Sequence, residues 1–142
     1  KNEIKICRRA HNMRKYANQI TSSAGEHVEK GEGYKVAALR ELKEELKITT
    51  RLRDLGRFDV INSWERSIHH LFVGKFKKGF SPDPNEISEC YFLSFKALKR
   101  DIALHPRKYC KPFHKAFAFY STVTLLARLR GRSTSRPKAT AI

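Results

Sequence analysis

Cysteine is scarce in this chain: Cys7, Cys90 and Cys110 are the only three among 142 residues, far apart and odd in number. That usage builds neither a disulfide framework nor a zinc site, and it points to a reducing compartment, with the cytoplasm as the expected location. No run of about eighteen apolar residues is present, so no membrane-spanning helix is expected. Internal repeats and a signal-peptide pattern are both missing. The first residue is Lys1 rather than Met, and strand-like sequence begins almost at once, so native sequence is expected to be missing upstream. Acid is scarce as well. Fourteen Asp and Glu stand against 30 Lys and Arg, a formal net charge of +16, enough to attract nucleic acid or phosphorylated metabolites. With 40% hydrophobic and 31% charged residues, the chain reads as one folded domain with a core, too short for two comfortable ones.

Neither sign of charge is spread evenly. The last fifteen residues, 128–142, hold five basic residues and no acid, and they read as a basic, disordered tail behind a domain spanning 1–127. Six of the 14 acids (Glu26, Glu29, Glu32, Glu41, Glu44, Glu45) fall within 26–45. Alternation predicts a strand over 3–9, then a loop, then short β-like pieces with glycines over 20–33. "YKVAALRELKEELK" over 34–47 repeats apolar residues every four positions and predicts a helix. Strand character follows over 51–61, 67–77 and 89–95, with a Gly- and Pro-containing loop over 77–86. A short helix stopping before Pro106 and an amphipathic helix over 109–127 complete the chain. Strands and helices interleave without regular βαβ periodicity, which predicts a mixed sheet flanked by helices.

The predicted helix over 34–47 is the unusual element. Ala38, Leu39, Leu42 and Leu46 share one face, while Glu41, Glu44 and Glu45 crowd another within about 100° of arc. Glu41 and Glu45 are neighbours four apart, an arrangement that costs a few tenths of a kcal/mol. Glu44 and Glu45 also sit in the last turn, where the helix dipole disfavours negative charge. A solvated face is the bland reading, yet such a face built for stability carries Glu-to-Lys pairs four apart, and this one has none. A hard divalent cation would relieve the repulsion, since magnesium takes carboxylate, water and phosphate oxygens. Glu32, in the glycine-containing loop just upstream, supplies one more carboxylate. The carboxyl groups of Glu41, Glu44 and Glu45 are therefore expected to converge on one cleft shared with Glu32.

The stretch "GEHVEKGEGYKVAALRELKEELKI" (25–48) resembles the signature of the Nudix hydrolases, with Glu32, Arg40, Glu41, Leu42, Glu44, Glu45 and Ile48 at matching positions. The resemblance extends over roughly 3–120 and implies an α/β/α sandwich with a mixed β-sheet, truncated at its N-terminus. It implies hydrolysis of a diphosphate linkage in a nucleoside diphosphate derivative or related small metabolite, with Mg2+ or Mn2+. Carried over to this chain, Glu41, Glu44, Glu45 and Glu32 hold metal, Arg40 orients the carboxylates, and Glu41 or Glu44 acts as general base. Glu86 and Glu89 are the loop alternatives for that base. The wording "SSAGEHVEKGE" (22–32) also resembles the isopentenyl-diphosphate isomerase-like branch, but Gly25 stands where isomerisation needs a cysteine. Two positions depart from the signature: Glu26 replaces its first glycine and Lys47 its second. A lysine forced into the left-handed region after a helix costs roughly 1 kcal/mol relative to glycine.

Outside the signature, Arg8 and Arg9 close the first strand near the loop and are candidates for substrate phosphates, as is His27. His69 and His70 are adjacent on a predicted strand, so they point to opposite faces and do not share a metal. Trp64 is a candidate for stacking on a base. The departures at Glu26 and Lys47, together with the net charge of +16, define an alternative: a catalytically impaired Nudix-fold module that binds RNA or other polyanions through a basic surface.

Overall fold

The structure is a computed structural model that describes residues 3–25, 27–63, 66–76 and 79–131. Its strands are β1 (Glu3–Arg9), β2 (Ile20–Thr21), β3 (Leu52–Ile61), β4 (Arg66–Gly74) and β5 (Ile87–Ser94). Its helices are α1 (Tyr34–Leu46), α2 (Phe95–Leu104) and α3 (Lys111–Gly131). Glu26, Trp64 and residues 132–142 lie outside the described residues, so readings of those positions stay with the sequence. The helix predicted over 109–127 runs on to Gly131, because "LLARLRG" keeps strong helix formers where a tail was expected.

Two antiparallel sheets form the middle layer. One has the order β2-β1-β5 and the other pairs β3 with β4. The mixed character expected of the sheet is confined, among the described residues, to one parallel bridge between Ile20 and Tyr109. Alternation along β1 assigns its residues to opposite faces. Ile6 joins Ile20, Leu98 of α2, and Tyr109, Cys110 and Phe113 in one apolar cluster. Cys7 joins Leu42 and Leu46 of α1, with Ile48, Leu52 and Ile87, in the other. Helices thus cover both faces of β1, the α/β/α sandwich that the sequence resemblance implies.

Local chemistry sets the ends of these elements. Ser94 caps α2 by accepting the Ala97 N–H at 3.2 Å. That helix ends at Leu104, with His105 held out of helical geometry by Pro106. In β3 a bulge lies between Asp54 and Gly56, whose φ of 110° suits glycine. A Cβ there would come within 3.3 Å of the Phe119 ring, so α3 packs close against β3 at this point.

α1 has no side-chain cap, and its first turn carries no acid. Packing holds it instead, with Leu46 fully buried and Leu42 nearly so; burying each leucine contributes about 1.5–3 kcal/mol. At its end Lys47 is left-handed, with φ 57° and ψ 30°, as a glycine would be. Its N–H returns to the Lys43 carbonyl at 3.1 Å and that of Ile48 to the Leu42 carbonyl at 3.0 Å. The loop before β5 then takes the remaining helix carbonyls. Ser81 N–H donates to Leu46 O at 2.9 Å and Asp83 N–H to Glu45 O at 2.8 Å. That loop delivers Glu86, whose own carbonyl accepts the Ala10 N–H at 2.8 Å.

Candidate active site

The acid-rich helix does not present a solvated face. Ala37, Glu41, Leu42, Glu45 and Leu46 are its buried residues, so two of the three glutamates share the covered side with the leucines. The separation of an apolar and an acidic face expected from sequence therefore fails for Glu41 and Glu45. The reason is tertiary: the Gly25 segment and the Glu86 loop both close over the last two turns of α1.

Arg40 organises the first part of the site. Its Nε and Nη2 donate to the two carboxylate oxygens of Glu32, both at 3.0 Å. Its Nη1 donates to Glu41 and, at 3.2 Å, to Glu44. Glu29 lies 3.9 Å from the same guanidinium. This fork geometry fixes several carboxylates at once, which an ammonium group does not do. The Glu32 carboxyl is held below the usual carboxylate range, chiefly by Arg40 and then by the Glu29 N–H. Arg40 in turn is held firmly charged, first of all by Glu32.

Glu45 organises the second part. Its carboxyl is only 7% exposed with its residue, and it is pushed up to about 8 by burial and by the charges of Glu86 and Glu41. The N–H of Gly25 donates to it and partly opposes that shift. Burial also raises Glu41, against the pull of Arg40. Glu45 and Glu41 are coupled neighbours, and each raises the cost of charging the other. Like-charged neighbours in a covered site cannot both ionise cheaply.

The predicted residues thus divide into two groups joined at Glu41. Glu32, Glu41 and Glu44 surround Arg40, whereas buried Glu45 feels the charges of Glu41 and Glu86. Convergence of Glu32, Glu44 and Glu45 on one cleft, expected from sequence, is not what the structure shows. Glu44 is 59% exposed and Glu32 is engaged with both oxygens on Arg40. Of the candidate phosphate residues, Arg9 and His27 line a cavity of about 390 Å³ together with Glu41. Arg8 does not. It donates to Glu89 at 3.1 Å, to the Tyr91 hydroxyl and to the Asn18 carbonyl at 2.8 Å, so Arg8 and Glu89 consume each other away from the cavity. That pairing turns Glu89 toward Arg8 and Tyr91, while Glu41, Glu44 and Glu86 stay candidates for the base.

Sequence reasoning missed two further wall residues, Tyr34 and His70. Their rings meet at 5.0 Å, and His70 Nε2 contacts Asp54 Oδ1 at 2.6 Å. His69 instead stacks on Phe58, which meets Phe119 of α3, so the two histidines do face opposite ways. Only the β3–β4 register could have placed Asp54 near His70.

A divalent cation suits the donor set. Glu41, Glu45 and Glu86 offer hard carboxylate oxygens whose mutual repulsion Arg40 relieves only at Glu41. As they stand, no group of three or more His, Cys, Asp or Glu side chains among the described residues is gathered closely enough to hold a metal. Ligation therefore calls for an ionised Glu45 and for side-chain rotation.

The chain is thus an α/β/α sandwich with an arginine-locked row of glutamates beside a cavity. It belongs to the NUDIX family: the family model for the NUDIX domain matches residues 1–112. The crystal structure of the DR0079 protein from Deinococcus radiodurans is similar, with TM-score 0.66 and 26% identity over 78% of this chain and 68% of that one. The MutT protein from Methanosarcina mazei shares the fold at TM-score 0.72 and 19% identity, covering 89% of this chain and 86% of its own. An Ap4A hydrolase from C. elegans does so at TM-score 0.59 and 17% identity, over 89% and 88% of the two chains. No functionally curated protein matches this chain.

Proposed function

We propose that this chain hydrolyses a phosphoanhydride bond in a nucleoside diphosphate derivative or a related diphosphate metabolite, with Mg2+ or Mn2+. The observation that carries the reading is the pair Glu41 and Glu45, both buried on one side of α1 with Glu41 held by Arg40, an arrangement that local helix physics opposes and a divalent cation resolves. Glu41 and Glu45 would hold the metal, with Glu44 at the exposed rim, and Glu32 acts through Arg40 rather than as a ligand. When bound, such a cation neutralises diphosphate oxygens and makes water a better nucleophile. Arg40 keeps Glu41 ionised and correctly turned, much as outer partners orient metal-binding carboxylates in general. Glu86, on the loop whose Ser81 and Asp83 N–H groups bond to the end of α1, would accept the proton of the attacking water. Arg9 and His27 on the cavity wall bind the phosphates, and the aromatic side chains of Tyr34 and His70 receive the remainder of the substrate. Isomerisation is set aside because Gly25 occupies the position of the required cysteine.

The test is a panel of nucleoside diphosphate derivatives incubated with the full chain and Mg2+ or Mn2+, with phosphate release as readout. Hydrolysis that stops on chelation and is lost in Glu45→Gln supports the reading. Equal turnover by wild type and Glu45→Gln refutes the assignment of the carboxylates. Binding of single-stranded RNA that weakens steeply with salt, ignores chelator and accompanies no hydrolysis would favour the polyanion-binding alternative instead.

A further inference from the structure

A second reactive cluster lies on the face of β1 turned toward α1, apart from the glutamates. Lys5 is 1% exposed. Its Nζ donates to Cys7 Sγ at 3.0 Å and sits 4.7 Å from the centre of the Phe80 ring. Among the described residues no carboxylate pairs with it. A cation taken out of water needs an anion or a polarisable partner close by, and the groups here that can supply negative charge are thiols.

Two thiols are within reach. Cys7 and Cys90 stand directly opposite each other in the β1–β5 ladder, and their sulfurs are 3.2 Å apart. Directly opposed residues of antiparallel strands have Cα atoms about 4.5 or 5.5 Å apart. Both spacings fall inside the roughly 4.4–6.8 Å that a disulfide spans. Cys7 is fully buried while Cys90 is half-buried, so Cys90 is the sulfur that a small reagent meets first. The Cys7 hydrogen bond, helped by the charge of Lys5, lowers the Cys90 thiol to about 6. Cys7 shifts upward, through its bond to Cys90 and through burial. The more exposed Cys90 is thus the attacking thiol and buried Cys7 the resolving one. Cys110 belongs to the other cluster, beside Tyr109 and Phe113, on the far face of the sheet.

We propose that Lys5, Cys7 and Cys90 form an oxidation-sensitive dithiol that a hydroperoxide converts into a cross-strand disulfide. In the first step the Cys90 thiolate attacks one peroxide oxygen, the O–O bond breaks, and the departing oxygen takes a proton from solvent. Cys90 is left as a sulfenic acid. In the second step the Cys7 sulfur attacks Cys90 Sγ, the S–O bond breaks, and the hydroxide leaves with the Cys7 proton as water. The two thiols give up two electrons in all, and the peroxide accepts them. A dithiol reductant reverses the change by thiol–disulfide exchange. The bridge would join β1 to β5 at the residues packed beneath Leu42 and Leu46 of α1, so the redox state is read directly by the layer that supports the glutamates.

The experiment uses the reduced full chain, near-stoichiometric hydrogen peroxide at pH 7, an alkylating quench under denaturing conditions, and mass spectrometry of intact protein and peptides. Two of the three free thiols should disappear with a mass loss of about 2 Da, a Cys7–Cys90 linked peptide should appear, and dithiothreitol should restore both. Cys110→Ala should behave as the wild type, and Cys90→Ser should form no bridge. Lys5→Met conserves volume and removes the cation, so oxidation at pH 7 should slow by about tenfold or more as the thiolate fraction falls. Consumption of Cys110 ahead of the pair, build-up of sulfinic acid on Cys90 without a bridge, or a wild-type rate in a folded Lys5→Met protein would each overturn the proposal. The peptide map of the wild type decides the matter even if Lys5→Met does not fold. Loss of diphosphate hydrolysis plays no part in these readouts.

Discussion

Glu45→Gln separates stability from activity at the candidate site. In the folded chain burial and the neighbouring Glu86 and Glu41 move the Glu45 carboxyl from an ordinary 4.5 to about 8. A carboxyl raised in the folded state binds more protons there than in the unfolded chain across that interval, so folding stability falls as pH rises from about 4.5 to about 8. The sign is opposite to that of a salt-bridged carboxylate. Each pH unit inside the window is worth up to about 1.4 kcal/mol, and coupling to Glu41 shares the loss between the two groups. A total of roughly 2–4 kcal/mol by pH 9 is the expected scale. Glutamine keeps a side chain of the same shape, still donates to Glu41, still accepts from Gly25, and has no charge to bury. In chelator, urea denaturation should therefore show equal stabilities for wild type and Glu45→Gln near pH 4.5, with the variant progressively more stable up to pH 8 or 9. Added Mg2+ should restore the wild type by mass action and do less for the variant, whose hydrolysis should drop by about 100-fold or more. A variant less stable than wild type at pH 8, or a difference independent of pH, would refute the reasoning.

The other perturbations test separate links. Arg40→Lys loses the two parallel bonds to Glu32, and steady-state kinetics should show kcat reduced by about 10–100-fold with a smaller change in KM. Lys47→Gly relieves a left-handed lysine, and chemical denaturation should report a gain of roughly 1 kcal/mol. Leu46→Ala removes a fully buried side chain under the glutamates and should cost about 2–5 kcal/mol, visible as a lower urea midpoint. Acid titration should find a second, opposite pH dependence from Asp101: Tyr109 and Lys108 hold it below its ordinary 3.8, so its contribution is present above that value and lost as pH falls through the lowered one. Asp101→Asn should flatten that acid limb in a thermal melt.

Much of the architecture was readable from periodicity. The strand over 3–9 and the helix opening at Tyr34 lie where alternation and the four-residue repeat put them, and Ser94 and Pro106 bracket α2 by chemistry that is local in sequence. Arg40 among its acids was legible for the same reason, since three of its carboxylate partners lie within eight residues of it. The pairing of Arg8 was not legible, because its partner Glu89 is distant in the chain and reaches it through strand pairing. The position of Glu86 was equally closed to sequence, because it depends on how the loop before β5 folds against α1.

The sequence by itself therefore determined the elements, the NUDIX signature and the local charge conflict on α1, because periodicity, capping and neighbouring charges act within a few residues. Only the tertiary structure decided that Glu41 and Glu45 are covered while Glu44 stays wet, and that Lys5 lies against a facing pair of thiols. Burial and cross-strand contact come from segments far apart in the chain, and it is those contacts that turn ordinary side chains into ones with displaced protons.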